Sequence, residues 1–251
     1  MQVSYHSQDS RHLGRPMEYK VYGHGGRPVV VFPTSNGRFY QYEDSGMIDE
    51  LRIFIDSGQI QIWTVDGLDW ETFFSKDEDF NRRIERHEAY FRYIREEFLP
   101  EVTNRNRVAN GGVEIRPLFT GCSMGAFHAS NFLFHFPWLG DGLIALSGVY
   151  STRHFFGPRL DGAIYFNSPL DYLPGLTDEG TLQDIRRLRM VICCGQGAWE
   201  DEMLWETRAL ESVLRGKSIG AFVDYWGTDV SHDWPWWRRQ MSHFLPQWLS
   251  A

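Results

Sequence analysis

The stretch IRPLFTGCSMGAFHASNFLFHF, residues 115–136, joins a short apolar run to a second apolar run with helical spacing. Between the two runs lies Gly121-Cys122-Ser123-Met124-Gly125, a G-x-S-x-G motif at a predicted strand-to-helix turn. This is the context that a nucleophile elbow requires, because the glycines leave room for a tight turn that exposes the serine hydroxyl. A plain glycine-rich turn is the alternative, since the chain has 24 glycines and the motif alone is weak evidence. Its position between strand and helix favours Ser123 as a nucleophile.

Short apolar runs of strand length alternate along the chain with longer amphipathic segments. The runs are RPVVVFP, IQIWTV, VEIRPLFT, GLIALSG and LRMVICCG. They are nearly continuous in hydrophobicity, as parallel strands that are covered on both faces should be. The segments DEDFNRRIERHEAYFRYIREEFLPEV, EDEMLWETRALESVLRG and WPWWRRQMSHFLPQWL show helical periodicity. The pattern predicts a three-layer α/β fold, with a mostly parallel central sheet and helices on both faces. One domain over residues 1–251 is expected, with a small cap around residues 150–180.

Charge, hydrophobicity and cysteine content argue against several classes of protein. The formal net charge is −8, which argues against a nucleic-acid partner or an anionic membrane surface. The N-terminal residues lack the apolar core of a signal peptide, and no run of 18 apolar residues is long enough to span a membrane. Three cysteines do not make the disulfide framework of a secreted protein. A soluble, cytoplasmic protein is therefore expected.

A serine hydroxyl becomes a good nucleophile only when a base takes its proton. In the predicted architecture this base is a histidine near the C-terminus. Only His232 and His243 follow the last predicted strand, GAFVDYWG. His243 falls inside the final helix, whereas His232 lies in the loop before it, so His232 is the predicted base. No pair of histidines has convincing metal-ligand spacing, and neither a metal nor a cofactor is expected.

The acid that orients this histidine should follow the preceding strand, RMVICCG. The loop there is QGAWEDEM, which offers Glu200, Asp201 and Glu202. We predict Asp201, because apolar residues two and three positions later would turn the start of the helix inward. Glu200 is the alternative, and Asp229, close to the histidine in sequence, is the next candidate.

A tetrahedral intermediate needs hydrogen-bond donors for its oxyanion. One predicted donor is the backbone N–H of Met124, directly after the serine. The second should come from the loop after VVVFP, which reads Thr34-Ser35-Asn36-Gly37. We predict the N–H of Ser35, and the alternative is a simple turn stabilised by Asn-Gly.

Three segments resemble one family: GCSMGAFHA, WEDEMLWETRAL and WGTDVSHDWPWWRRQMSHFLP. They are similar to the esterase family of α/β-hydrolases that includes esterase D (S-formylglutathione hydrolase), enterochelin esterases, feruloyl esterases and the mycolyltransferases of the antigen 85 group. The resemblance runs through the whole chain in order. It implies the α/β-hydrolase fold and a Ser/acid/His hydrolase carried by Ser123, Asp201 or Glu200, and His232.

The leading hypothesis is a serine esterase that hydrolyses a small-molecule carboxylic ester through an acyl-enzyme. Tryptophans cluster in the loops expected at the site, which suggests an apolar or aromatic acyl group. An acyltransferase would use the same three residues and pass the acyl group to an alcohol. A non-catalytic binding protein that keeps the elbow as a scaffold is the third possibility.

Overall fold

The computed structural model describes residues 1–250. The chain divides into two compact units, Met1–Leu118 and Phe119–Ala251. The prediction of one domain over residues 1–251 stays a prediction. Within residues 1–250 no helix is both long and apolar enough to cross a membrane.

The first unit has four strands within the described residues, in the order β1-β2-β4-β3. They are β1 (Val3–Ser10), β2 (Arg15–Tyr22), β3 (Arg27–Phe32) and β4 (Ile60–Val65). The strands β3 and β4 are the predicted apolar runs, and they pair in parallel. The sequence analysis did not predict β1 and β2, which form an antiparallel hairpin. The sequence of β1, VSYHSQDS, is mostly polar because the strand is largely exposed. The sequence of β2, RPMEYKVY, alternates between buried and less buried residues as far as Val21, and the next residue, Tyr22, is also buried.

The first unit contains five α-helices among its described residues, and the predicted helical segment DEDFNRRIERHEAYFRYIREEFLPEV accounts only for the last two. They are α1 (Gln41–Asp44), α2 (Met47–Glu50), α3 (Arg52–Asp56), α4 (Phe80–Tyr93) and α5 (Leu99–Ala109). The carboxylate of Asp79 caps α4 by accepting hydrogen bonds from the next turn. A π-helical turn, Ile94–Phe98, joins α4 directly to α5. Pro100 therefore does not end the helix; it lies in the first turn of α5, directly after the π-helical turn.

The second unit contains the strand order β5-β6-β7-β8. These strands are β5 (Leu118–Cys122), β6 (Gly142–Leu146), β7 (Arg189–Cys194) and β8 (Phe222–Tyr225). β6 pairs in parallel with β7, and β7 pairs in parallel with β8. Every residue of β5 and β6 is buried, which explains their continuous hydrophobicity. The predicted strand VEIRPLFT forms only from Leu118 onward.

Seven helices are found among the described residues of the second unit. They are α6 (Met124–His135), α7 (Arg153–Phe156), α8 (Gly162–Phe166), α9 (Pro169–Tyr172), α10 (Glu179–Arg186), α11 (Asp201–Gly216) and α12 (Trp234–Ser250). The predicted cap, around residues 150–180, contains the short helices α7 to α9. An ion pair of Arg153 with Asp171 ties this segment together, and Nδ1 of His154 lies 3.0 Å from Oε1 of Glu202 in α11. Its role as a cap stays a prediction.

The loops that carry the candidate site residues follow the carboxyl ends of strands in the second unit. Ser123 comes directly after β5, the predicted acid loop follows β7, and His232 lies between β8 and α12. In open α/β sheets, ligand sites form at this edge of the strands. The second unit thus brings the candidate residues to one place.

Candidate active site

Ser123 occupies a sharp, strained turn between β5 and α6. Its backbone has φ 55° and ψ −124°, a conformation that L-residues rarely adopt outside functional sites. A Cβ on Gly121 would lie 2.2 Å from the carbonyl carbon of Gly125, so position 121 admits only glycine. The backbone N–H of Ser123 donates to the carbonyl of Leu146 at 2.8 Å and fixes the turn against β6. The G-x-S-x-G motif therefore forms a strand–turn–helix elbow rather than a plain loop.

The imidazole of His232 meets the hydroxyl of Ser123. Its Nε2 lies 2.9 Å from Oγ of Ser123, within hydrogen-bond distance. The backbone N–H of His232 donates to the carbonyl of Ala198 at 3.0 Å, which holds the histidine loop against the loop that follows β7. His243 lies on the exposed face of α12 and contacts Gln247. Of the two histidines considered, the structure brings only His232 to Ser123.

The carboxylate beside His232 belongs to Glu200. Its Oε2 lies 3.1 Å from Nδ1 of His232, and the side chain is only 1% exposed. Asp201 is the first residue of α11 and is exposed to solvent. The structure therefore places Glu200, one residue before the predicted Asp201, against the histidine. Asp229, the third candidate, is exposed as well.

The backbone before α11 explains this placement. Trp199 has φ 67°, in the left-handed region, and the N–H of Glu200 donates to the carbonyl of Gly197 at 3.3 Å. This tight turn sends the side chain of Glu200 inward and leaves Asp201 in the first turn of the helix, where an acidic side chain suits the helix dipole. A left-handed tryptophan carries no sequence signal, because glycine or asparagine is the usual residue there.

Two glycines allow the acid loop and the histidine loop to touch. A Cβ on Gly195 would lie 2.3 Å from the carbonyl oxygen of Val230, and one on Gly197 would lie 2.7 Å from the same atom. The N–H of Gly197 donates to that carbonyl at 2.8 Å. The direct backbone contact between the two loops fixes the distance from Glu200 to His232.

One of three buried thiols contacts the carboxylate of Glu200. All three cysteines, Cys122, Cys193 and Cys194, are free and buried. Burial raises the pKa of each thiol, and the nearby charge of Glu200 raises it further, so the thiols stay neutral at physiological pH. Cys194 Sγ lies 3.5 Å from Oε2 of Glu200, where it can act as a weak donor.

The backbone N–H groups of Met124 and Ser35, the two predicted oxyanion donors, have different surroundings. Met124 is the first residue of α6, and an N–H in the first turn of a helix has no acceptor within that helix. It is therefore available beside Ser123. Ser35 lies in an exposed turn of the first unit, closed by a hydrogen bond from the N–H of Gly37 to the carbonyl of Thr34. Its role as the second donor stays a prediction.

Sequence reasoning missed two residues that contact the site. Oγ of Ser147, directly after β6, lies 2.6 Å from Oε1 of Glu200. The ring of Trp237 packs edge-on against the imidazole of His232, with ring centroids 4.8 Å apart. Trp237 is 4% exposed and contacts His232 from the buried side of the ring. No spacing rule reports such contacts, because they depend on how separate elements pack.

Several solved structures superpose on almost the whole chain. A ferulic acid esterase aligns over 98% of this chain and 96% of its own, with a TM-score of 0.74 at 16% identity. An S-formylglutathione hydrolase from Agrobacterium tumefaciens aligns over 98% and 94%, with a TM-score of 0.70 at 15% identity. The protein MPT51 of Mycobacterium tuberculosis aligns over 100% and 99%, with a TM-score of 0.72 at 13% identity. The chain has their fold.

This is the three-layer α/β-hydrolase fold that the sequence predicted, and the prediction is confirmed. Feruloyl esterase and S-formylglutathione hydrolase structures belong to the group that the three sequence segments resemble. The sequence matches no protein-family model and no curated protein sequence.

Proposed function

We propose that the protein is a serine esterase that hydrolyses a carboxylic ester through an acyl-enzyme, with Ser123 as nucleophile, His232 as base and Glu200 as the orienting acid. The observation that carries this proposal is the continuous chain of contacts from Oγ of Ser123 through the imidazole to the buried carboxylate, at 2.9 Å and 3.1 Å. Nucleophile, base and orienter within hydrogen-bond reach are the mark of an activated serine.

The geometry supports one division of roles. Nδ1 of His232 faces a carboxylate, which can only accept a hydrogen bond when ionised, so Nδ1 carries the proton and Nε2 is free to accept one. Nε2 then takes the hydroxyl proton of Ser123 as Oγ attacks the ester carbonyl. The N–H of Met124 stabilises the oxyanion, and Ser35 is the proposed second donor.

Collapse of the tetrahedral intermediate breaks the bond to the leaving alcohol. That alcohol takes the proton from Nε2 of His232, and the acyl group remains on Ser123. Water then repeats the sequence: His232 removes its proton, the resulting hydroxide equivalent attacks the acyl carbon, and Oγ recovers the proton. As this second tetrahedral intermediate collapses, the bond between the acyl carbon and Oγ breaks and the carboxylic acid leaves. Ser123 and His232 are both restored, and no cofactor enters the balance.

Substrate preference is proposed from one exposed side chain beside the acid. Trp199 directly precedes Glu200, and its side chain is 83% exposed. No other large apolar side chain within residues 1–250 is more exposed. An exposed indole at this position suits contact with an apolar or aromatic acyl group. Trp237 is buried against His232 and contributes no such surface.

The test is a panel of p-nitrophenyl esters with acetyl, longer aliphatic and aromatic acyl groups. Wild type should hydrolyse at least one ester, and Ser123→Ala should abolish turnover while keeping the fold, because it removes the nucleophile and little volume. A fluorophosphonate should label the wild-type protein at Ser123, as located by mass spectrometry. Labelling at another residue, or undiminished turnover by Ser123→Ala, would overturn the proposal. Adding alcohol acceptors to the same assay shows whether water or an alcohol receives the acyl group.

A further inference from the structure

Ser147 is a buried serine that cannot reach a substrate but touches the acid. It lies directly after β6, is 0% exposed and has φ 50°, in the left-handed region. Its backbone N–H donates to the carbonyl of Cys193 at 2.7 Å, which locks the residue between β6 and β7. A strained, non-glycine residue at such a place is typical of a functional constraint.

The direction of its hydroxyl is fixed by chemistry. The indole N–H of Trp237 lies 3.0 Å from Oγ of Ser147, and an indole N–H can only donate. Oγ therefore accepts from Trp237, and its single proton is left for Oε1 of Glu200 at 2.6 Å. Donation to a carboxylate is among the stronger hydrogen bonds in proteins.

Trp237 acts at both ends of this arrangement. Its N–H donates to Ser147, while its ring stands at 88° to the imidazole of His232. The residue sits in the first turn of α12, where its backbone N–H donates to the carbonyl of Asp233 at 3.2 Å. One buried indole thus contacts both the group that holds the acid and the base itself.

A glutamate needs such a second anchor. Its carboxylate hangs on three rotatable side-chain bonds, one more than in aspartate, and can turn away from the histidine unless both oxygens are held. Oε2 faces Nδ1 of His232, and Oε1 is held by Ser147. Without Ser147, Oε1 would be a buried acceptor that has lost its donor.

We propose that Ser147 and Trp237 are positioning residues that hold the carboxylate of Glu200 against His232. This inference rests on the proposed function, because it assigns these residues to the same triad. Ser147 acts through Glu200, and Trp237 acts through the N–H that it donates to Ser147.

The experiment compares Ser147→Ala with wild type on the best p-nitrophenyl ester. We expect kcat to fall about 10- to 100-fold, the effect of losing a hydrogen bond to a charged group, while KM changes little. The melting temperature should also fall, because Oε1 of Glu200 and the indole N–H of Trp237 both lose their partner. Ser130→Ala is the matched control. Its hydroxyl is equally buried and donates to the carbonyl of Ala126 at 2.7 Å, away from the triad, so kcat should stay within about twofold of wild type.

A double-mutant cycle separates positioning from general damage. If Ser147 acts only through the carboxylate, Ser147→Ala should cause little further loss in a Glu200→Gln background. Trp237→Phe keeps an aromatic ring and removes the N–H. The decrease in kcat of the double variant Trp237→Phe/Ser147→Ala should likewise be smaller than the product of the two single decreases. Ser147→Gly, which accepts the left-handed backbone, replaces Ser147→Ala if that variant does not fold.

Losses that multiply in the cycle would overturn the positioning role, as would wild-type kcat in Ser147→Ala or Ser147→Gly. If wild type neither hydrolyses any ester nor reacts with a fluorophosphonate, the proposed function fails, and the positioning role fails with it. If wild type is active and labelled while the Ser147 variants match it, only the positioning role fails. The two failures are therefore distinguishable.

Discussion

Oε2 of Glu200 lies 3.1 Å from Nδ1 of His232, while the adjacent Asp201 begins a helix and faces solvent. Two neighbouring acids thus have opposite environments, and a pair of variants tests what each does.

We predict that Glu200→Gln lowers kcat by up to ~10⁴-fold, because the amide keeps the size of the side chain but favours the wrong imidazole tautomer. Asp201→Asn should leave kcat within about twofold of wild type and cost at most ~0.3–1 kcal/mol of stability, the value of a first-turn charge. Steady-state kinetics of both variants on one ester checks this. The reverse order of effects would return the acid role to Asp201.

His232→Ala should lower kcat by about 10⁴-fold or more, because no other base contacts Ser123 in the structure's described residues. His243→Ala is the control, since its ring is exposed on α12 and away from the serine. Its kcat should equal that of wild type. Equal losses in both variants, together with a lower melting temperature, would indicate damaged folding instead of lost chemistry.

Gly121→Ala should prevent the elbow from forming. The added Cβ would lie 2.2 Å from backbone atoms of Gly125, which cannot move without breaking the start of α6. We expect a loss of stability greater than about 3 kcal/mol, or an insoluble protein. Gly216→Ala, at the exposed end of α11 with nothing within 4 Å of its Cβ, is the control and should be neutral or slightly stabilising. Chemical denaturation of both variants gives the comparison, and a Gly121→Ala protein as stable as wild type would contradict the steric reasoning.

Trp199→Gly should change substrate binding without lowering stability. Relief of the left-handed backbone gains about 1–2 kcal/mol and offsets the roughly 0.5–1 kcal/mol of extra entropy that glycine loses on folding. The melting temperature should therefore hold or rise.

If Trp199 contacts the acyl group, the same variant should raise KM for aromatic acyl esters by about tenfold, equivalent to about 1.4 kcal/mol, with little effect on acetyl esters. Trp205→Ala is the control, because Trp205 is exposed on the regular helix α11. An unchanged KM for every ester would place the acyl group elsewhere.

The buried carboxylate of Glu206 should make the free energy of unfolding depend on pH. Its carboxylate is 3% exposed and accepts hydrogen bonds from the N–H of Tyr150 and from the N–H and hydroxyl of Ser151. Burial raises its pKa above the ordinary value of 4.5, despite these donors. The folded state therefore holds a proton in a range where the unfolded state has lost it, so the contribution of Glu206 to stability is complete below pH 4.5 and declines as pH rises through the raised pKa.

Glu206→Gln cannot ionise. The free energy of unfolding of wild type, minus that of Glu206→Gln, should consequently decrease as pH rises from about 4.5. Denaturant titrations at several pH values measure the difference, with Glu114→Gln, on an exposed side chain, as the control. A difference that stays constant or grows with pH would show that the donors outweigh burial.

Much of the fold was predictable because buried parallel strands and amphipathic helices leave periodic signals. The elbow at Ser123 and the loop that carries His232 were located by their order along the chain, which topology dictates. The hairpin of β1 and β2 was missed, since an exposed strand needs few apolar residues. The acid was misplaced because a single left-handed residue, Trp199, decides which carboxylate turns inward. Ser147 and Trp237 could not be predicted, because Ser147 lies 53 residues from Glu200 and 90 residues from Trp237 in sequence.

The π-helical turn of Ile94–Phe98 determines how the side chains of α5 are rotated about the helix axis relative to those of α4. A π turn holds one residue more than an α-helical path would, and each α-helical residue turns the helix by about 100°. Without the extra residue, Asn106 would rotate off the side on which its amide donates to the carbonyl of Gly26 at 3.0 Å and to Gln61 at 2.9 Å. A homologue with a regular helix here should therefore be one residue shorter between positions 93 and 99, and should meet β4 with a different side chain.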